Sequence, residues 1–450
     1  MFAHVATVIG ERGCSLGAID LVEATPAVHV RDVTVDCPDE ATGAQLQEDL
    51  RRIDGVRVRN VSDRAFLMHL GGQIETKGRV SVRTRDDLSL VYTPGVARIC
   101  RAIADDPDKV WRLTIRQNCV AIVSDGSAVL GLGNIGPEAA LPVMEGKSLL
   151  FADLAAITAF PLCLATQDPD QIVRTVENVA PAFGGINLED IAAPACFIVE
   201  RELRKRLDIP VFHDDQHGTA IVVLAGLQNA AAVIARELTD LRVVIAGAGA
   251  AGIATARLLH LAGVRDITLC DRRGIVHAKR DDLNEEKRDV IRMLPTGRRG
   301  SLEDALAGAN VFIGLSGPKI LAQAALRTMG RPRIVFALAN PEPEIDPLDA
   351  APEVDVLATG RSDYPNQVNN VLAFPGVFRG LLDARARGVS AEVELAAAHA
   401  LAATVPPEVR SAEYILPSVF DRDVVPAVAK AVAAATRDAG LARKTATPES

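Results

Sequence analysis

The chain lacks any pairing of cysteines at metal or redox spacing: its seven cysteines are scattered, odd in number, and none falls in a CxxC arrangement. That excludes a disulfide framework and points to a reducing compartment, so a cytoplasmic protein is expected. No apolar run nears the roughly 20 residues of a membrane span. Glu11, Arg12 and Asp20 interrupt the N-terminal region, so no signal-peptide core is expected there. Charge of one sign is gathered nowhere: the net charge is −9 over 450 residues, with no basic stripe. Nucleic acid and anionic membrane are therefore not expected as partners. Aromatics are scarce, at 4% with three tyrosines, which draws notice to each tyrosine. Aliphatic residues are plentiful, and a hydrophobic content of 48% over this length fills two or three domain cores.

One stretch dominates what is present. Residues 210–220, PVFHDDQHGTA, set two acids, two imidazoles and an amide between apolar runs. Desolvating carboxylates costs several kcal/mol unless something cationic meets them. Residues 185–191, GINLEDI, repeat the pattern shortly before Pro194. Either acidic pair alone is a helix cap or a ligand pair. Both together, wrapped in apolar sequence at two strand ends, favour an oxygen-only site for a hard divalent cation, Mg²⁺ or Mn²⁺, over zinc.

Residues 1–75 read as a small module. Stretches 2–9, 28–35, 56–61 and 65–70 are strand-like, while 11–23 and 39–53 are helical. The resulting βαββαβ order fits a ferredoxin-like sandwich. Val33-Thr34-Val35-Asp36-Cys37 and the exit Leu70-Gly71-Gly72 resemble the ACT domain, a family of small regulatory modules that often bind amino acids. That resemblance implies either a sensor for a small effector or a dimerising appendage, and residues 71–78 are the expected linker.

Residues 76–217 gather the chemistry. Tyr92 stands just before the Pro94-Gly95 turn, as an amphipathic rim residue or as a hydroxyl at an element end. The glycines of 129–133, VLGLG, permit close backbone approach without following a dinucleotide fingerprint. Lys147 is expected to open an apolar helix running to about residue 160. There desolvation and the helix dipole would both lower its pKa and make it a base; otherwise it is a snorkelling surface lysine.

Residues 218–450 form the cofactor half. A strand at 241–246 runs straight into Gly247-Ala248-Gly249-Ala250-Ala251-Gly252 and then a helix, the context in which G-x-G-x-x-G cradles a dinucleotide. The helix N-terminus there stabilises a pyrophosphate. Asp271, about 20 residues on, ends the next strand where a ribose contact is expected. It favours NAD, whereas Arg272, Arg273 and Arg288 favour NADP, so both cofactors stay open. Buried strands at 309–316 and 333–341 end in polar residues. Asn340, and Asn370 farther on, either make turns or lie near the nicotinamide and substrate. Helices follow from about 389 and from 426, and a polar tail from Arg443.

Five motifs then occur in register: YTPGV at 92–96, VLGLG at 129–133, MEGK at 144–147, INLED at 186–190 and HDDQHGT at 213–219. Together they resemble the bacterial malic enzymes over residues 76 to about 400. The resemblance implies oxidative decarboxylation of malate to pyruvate and CO₂ with reduction of NAD or NADP. It makes Lys147 the general base and Tyr92 the general acid, and gives Glu189, Asp190 and Asp215 as ligands of Mg²⁺ or Mn²⁺. Asp214 would hydrogen-bond the lysine, Asn340 and Asn370 the malate carboxylate, and the enzyme would be a homodimer. One departure is Ala128, where some members of the family carry an arginine. The expected fold is α/β: an ACT-like module (1–75), an α/β catalytic domain (76–217) and a Rossmann-type domain with C-terminal helices (218–450). Malolactic or oxaloacetate decarboxylase activity on the same site, or a nucleotide-binding regulatory protein without turnover, are the alternatives.

Overall fold

A computed structural model describes residues 1–26, 28–294 and 297–443. It divides into two compact units, residues 1–72 and residues 73 onward. The polar tail expected beyond Arg443 lies outside the described residues.

The first unit holds helix Phe2–Glu11, strands β1 (Ser15–Ala24) and β2 (His29–Asp36), and helices Glu40–Arg51 and Arg64–His69. Strand β2 and the helix opened by Asp39 are as expected; Asp39 caps that helix by accepting the Thr42 N–H at 2.7 Å. The other elements differ. Residues 2–11 are helical because Val5, Val8 and Ile9 share one face, which packs with Cys14 and Leu46. Gly13, at φ 69°, ends that helix, and the chain from Ser15 extends to pair with β2 where a helix was expected. Residues 56–61 join no sheet, and residues 64–69 turn helical under Asp63, whose carboxylate accepts the Ala65 and Phe66 N–H groups. The described residues thus form a two-stranded antiparallel sheet, not the four-stranded ferredoxin-like one.

The second unit contains two mainly parallel sheets. The first, ordered β4-β3-β5-β6, uses β3 (Cys119–Ser124), β4 (Thr158–Cys163), β5 (Gly185–Leu188) and β6 (Val211–His213). Strands β3, β5 and β6 are buried along their whole length, which is why they read as continuous apolar runs without alternation. Leu188 lies opposite His213 in the register of β5 and β6. The residues that follow, Glu189 and Asp214, therefore leave the sheet side by side at its carboxyl end, where α/β sheets bind ligands.

Lys147 does not open a helix. It sits in the middle of helix Pro137–Ala155, which continues through Pro142 and Gly146. Ala140, Met144, Lys147, Ser148, Phe151 and Ala155 are its buried face, and it packs on β3 and β4. Burial of that face outweighs the local breakers. Phe151 meets Phe374 and Phe378 of helix Phe374–Asp383 at ring distances of 4.8 and 5.4 Å, tying a C-terminal helix to the catalytic sheet.

The second sheet, ordered β12-β11-β10-β7-β8-β9, comprises β7 (Arg242–Ala246), β8 (Asp266–Asp271), β9 (Gly274–Ile275), β10 (Val311–Gly314), β11 (Ile334–Ala337) and β12 (Val356–Thr359). All pairs are parallel except β8 with β9, and the arrangement is Rossmann-type. Helix Asp214–Val233 runs unbroken across the expected boundary at 217/218. Among the described residues no helix is long and apolar enough to cross a membrane.

Candidate active site

Two adjacent strand ends deliver four acids. Glu189 and Asp190 follow β5, and Asp214 and Asp215 follow β6. One carboxylate oxygen from each of Glu189, Asp190 and Asp215 lies within 4.8 Å of the others. Asp190 reaches this position in the left-handed region, at φ 53°, where aspartate is tolerated better than most side chains. From there its N–H donates to Asp215 Oδ2 at 2.8 Å. Asn187, fully buried on β5, donates to Glu189 Oε2 at 2.9 Å.

Lys147 enters from the facing helix. Its Nζ donates to Asp214 Oδ2 at 2.5 Å and forms a still closer ion pair with Glu189 Oε2. The Phe374 ring lies beneath it, 4.5 Å from Nζ to the ring centre. Gly218 makes room for this pairing, because a Cβ there would fall 1.8 Å from Asp214 Oδ1 and 3.3 Å from Asn370 Cβ. Asn370 is thereby placed beside the acids.

Burial would lower the Lys147 pKa, but the charges of Asp214, Glu189 and Asp215 outweigh it and raise it. The expected lowering is not found, since the lysine is remote from a helix N-terminus and surrounded by anions. Burial pushes Glu189 well above the ordinary carboxylate range despite the lysine, and pushes Asp190 up to about 7, with Asp215 adding to the shift. Burial also raises Asp214. Asp215 is opposed by burial yet held low, first by the His213 side chain. One ammonium thus serves four acids, of which Glu189, Asp190 and Asp214 are buried, and Asp214 Oδ1 has no hydrogen-bond partner among the described residues. An all-oxygen donor set with surplus negative charge fits a hard dication.

Not every expected residue joins this cluster. Tyr92 caps helix Arg85–Val91, is 67% exposed, and no hydrogen bond joins it to the acids or Lys147 among the described residues. Ala128 contributes its backbone N–H, which donates to the Asp190 carbonyl at 2.9 Å. Asn340 follows β11, and its carbonyl would lie 3.1 Å from a Cβ on Gly131, so the VLGLG turn presses against it.

The sequence reading missed three contributors. Asp125, at the end of β3, is buried, and its charge helps raise Asp190. Asn187 was visible only as one polar residue in a buried strand. Glu200, from helix Ala195–Arg206, receives His217 Nε2 at 2.8 Å and Arg204 Nη2 at 2.9 Å. His217 Nδ1 also meets Glu394 at 3.0 Å. A lone glutamate in a helix carries no sequence signal of such a role.

Residues 71–204 match the family described as "Malic enzyme, N-terminal domain", and residues 216–437 match "Malic enzyme, NAD binding domain". The chain belongs to the malic enzymes. An NAD-dependent malic enzyme of Geobacillus stearothermophilus is 53% identical over 444 residues, covering 98% of this chain and 93% of the relative. A bifunctional malic/malolactic enzyme of Bacillus subtilis is 53% identical over 381 residues, 84% of this chain and 93% of the relative. The crystal structure of an NAD-dependent malic enzyme from Thermotoga maritima superposes with a TM-score of 0.80 at 45% identity, covering 83% of this chain and 99% of that one.

In this malic enzyme the dinucleotide turn lies between β7 and helix Ala250–Leu261. Gly247 sits at φ 124°, and a Cβ there would fall 2.2 Å from the Leu315 carbonyl oxygen. A Cβ on Gly252 would fall 1.8 Å from the Gly247 carbonyl oxygen, so both positions demand glycine. Gly249, Ala250 and Ala251 complete the turn into the helix. Asp271, closing β8, is gripped by Arg280 at 2.8 and 2.9 Å and by Lys287 at 2.7 Å. Among the described residues, Arg280 and Lys287 are the cations on that carboxylate. Arg273 gives Asp271 only its backbone N–H, while its guanidinium pairs with Asp282 at 3.4 Å.

Proposed function

We propose that the protein catalyses the oxidative decarboxylation of malate to pyruvate and CO₂ with reduction of NAD or NADP, using Mg²⁺ or Mn²⁺ held by Glu189, Asp190 and Asp215. The observation that carries this reading is a buried lysine paired with acids at the carboxyl end of β5 and β6, in a chain whose other half carries a dinucleotide turn.

Asp214 orients Lys147, whose Nζ, as the neutral amine, takes the proton of the malate 2-hydroxyl; bound NAD or NADP would accept the hydride from C2. A dication held by Glu189, Asp190 and Asp215 would supply Lewis acidity toward the oxygen on C2 and would offset the carboxylate charge that raises Lys147. Asn340 and Asn370 donate to a malate carboxylate. The Tyr92 hydroxyl protonates C3 after CO₂ leaves. Leu88, Leu90 and Val91 of the helix that Tyr92 caps are exposed apolar residues, of the kind that an interface covers. A second copy of the chain covers them in a homodimer and brings Tyr92 to the site.

Malate-dependent formation of reduced cofactor, followed with NAD and NADP in parallel and with EDTA added, tests the reading. Turnover that EDTA abolishes and Mn²⁺ restores is expected; binding of nucleotide without turnover would replace it with a regulatory role. The Bacillus subtilis relative gives a second reading weight, because its name includes malolactic activity. Lactate formed from malate without net reduced cofactor would reveal it.

A further inference from the structure

We infer that His213 is a positioning residue for Asp215, locked by Gln216 into the tautomer that carries its proton on Nε2. The inference rests on the reading of Asp215 as a ligand of the cation.

His213 ends β6 and is fully buried. Its two ring nitrogens face different groups. Nδ1 lies 2.9 Å from Gln216 Nε2. Nε2 lies 3.2 Å from Asp215 Oδ2, a contact off the line of a hydrogen bond, and has no hydrogen-bond partner among the described residues. The Gln216 amide cannot be turned over freely, because its nitrogen also donates to Glu200 Oε2 at 3.1 Å. Glu200 is ionised, since His217 and Arg204 lie against its other oxygen. A reversed amide would set its oxygen against that carboxylate. The amide therefore presents N–H to Nδ1, Nδ1 is the acceptor, and the ring proton resides on Nε2.

That proton faces Asp215 Oδ2, the same oxygen that accepts the Asp190 N–H at 2.8 Å. The Asp190 N–H donates to Oδ2 and the His213 ring edge lies against the same oxygen, so Oδ1 is the oxygen left for a cation. Partners of this kind fix the orientation of a ligating group. The spacing of the HDDQH stretch then has a physical reason. Gln216, one turn into the helix, reaches back to the ring of His213, and the acids lie between them.

The test is Mn²⁺ binding to the full-length protein, read as loss of the free-ion signal in electron paramagnetic resonance, with NADH binding as the check on folding. His213→Ala is expected to weaken Mn²⁺ binding about 10- to 100-fold. His213→Gln, whose amide nitrogen falls near the place of Nε2, is expected to recover most of that loss. Gln216→Met keeps the ring but frees its tautomer. In ¹⁵N-histidine spectra the His213 nitrogens should move from a pure Nε2–H pattern toward a mixture, with a smaller loss of Mn²⁺ affinity. Wild-type affinity in His213→Ala, alongside weakened binding in Asp215→Ala, would overturn the positioning role and leave the metal site standing. Wild-type affinity in Asp215→Ala would overturn the metal reading itself. If His213→Ala fails to bind NADH, Gln216→Met decides: an unmoved tautomer with unmoved affinity overturns the inference.

Discussion

A single methyl group at Gly218 is enough to break the site. The Cβ would overlap Asp214 Oδ1 at 1.8 Å, so Gly218→Ala must push Asp214 off Lys147. We expect a loss of stability of about 1–3 kcal/mol by thermal or urea unfolding, together with lost turnover. Lys147→Met fills the same volume without a proton to exchange. It should lower kcat by roughly 10²–10⁴-fold while Mn²⁺ still binds, and a near-normal kcat would remove the lysine from the chemistry. Asp271 bears on cofactor choice. Its charge repels a 2′-phosphate and occupies Arg280 and Lys287, so Asp271→Ser should shift the kcat/KM ratio toward NADP by about tenfold, roughly 1.4 kcal/mol. An unchanged ratio would place discrimination elsewhere.

At the scale of elements, β5, β6, β7, β8, β10 and β11 were legible because each is a short, largely apolar run closed by a polar or glycine end. The dinucleotide turn was legible for a similar reason: Gly247 and Gly252 stand where no side chain fits. The acids were legible as pairs, and their convergence follows from the pairing of β5 with β6, which local sequence only hints at. Two features were not legible. The helix carrying Lys147 runs through Pro142 and Gly146 because its apolar face is buried on the sheet, a tertiary gain that local propensity does not register. In the first unit, the dense Val and Ile content of residues 2–9 suggested a strand, while the spacing of Val5, Val8 and Ile9 is helical. The misread Lys147 helix also reversed its pKa. A lysine at a helix start would be depressed by the dipole, whereas one among Asp214, Glu189 and Asp215 is raised.

At the scale of the whole molecule, the proposed mechanism uses a homodimer to bring the exposed Tyr92 to the site. Tyr92→Phe and Lys147→Met homodimers should each be nearly inactive. If the tyrosine acts across the interface, mixing and reassembling the two should restore about a quarter of wild-type activity, because half the dimers are mixed and each has one intact site. No recovery would confine both residues to one chain. The most direct test of the central claim is anomalous diffraction from crystals soaked in manganese chloride, with data collected on both sides of the manganese edge. The account predicts one strong peak between the carboxylates of Glu189, Asp190 and Asp215. A crevice without a peak, in crystals whose protein still turns over malate, would contradict it.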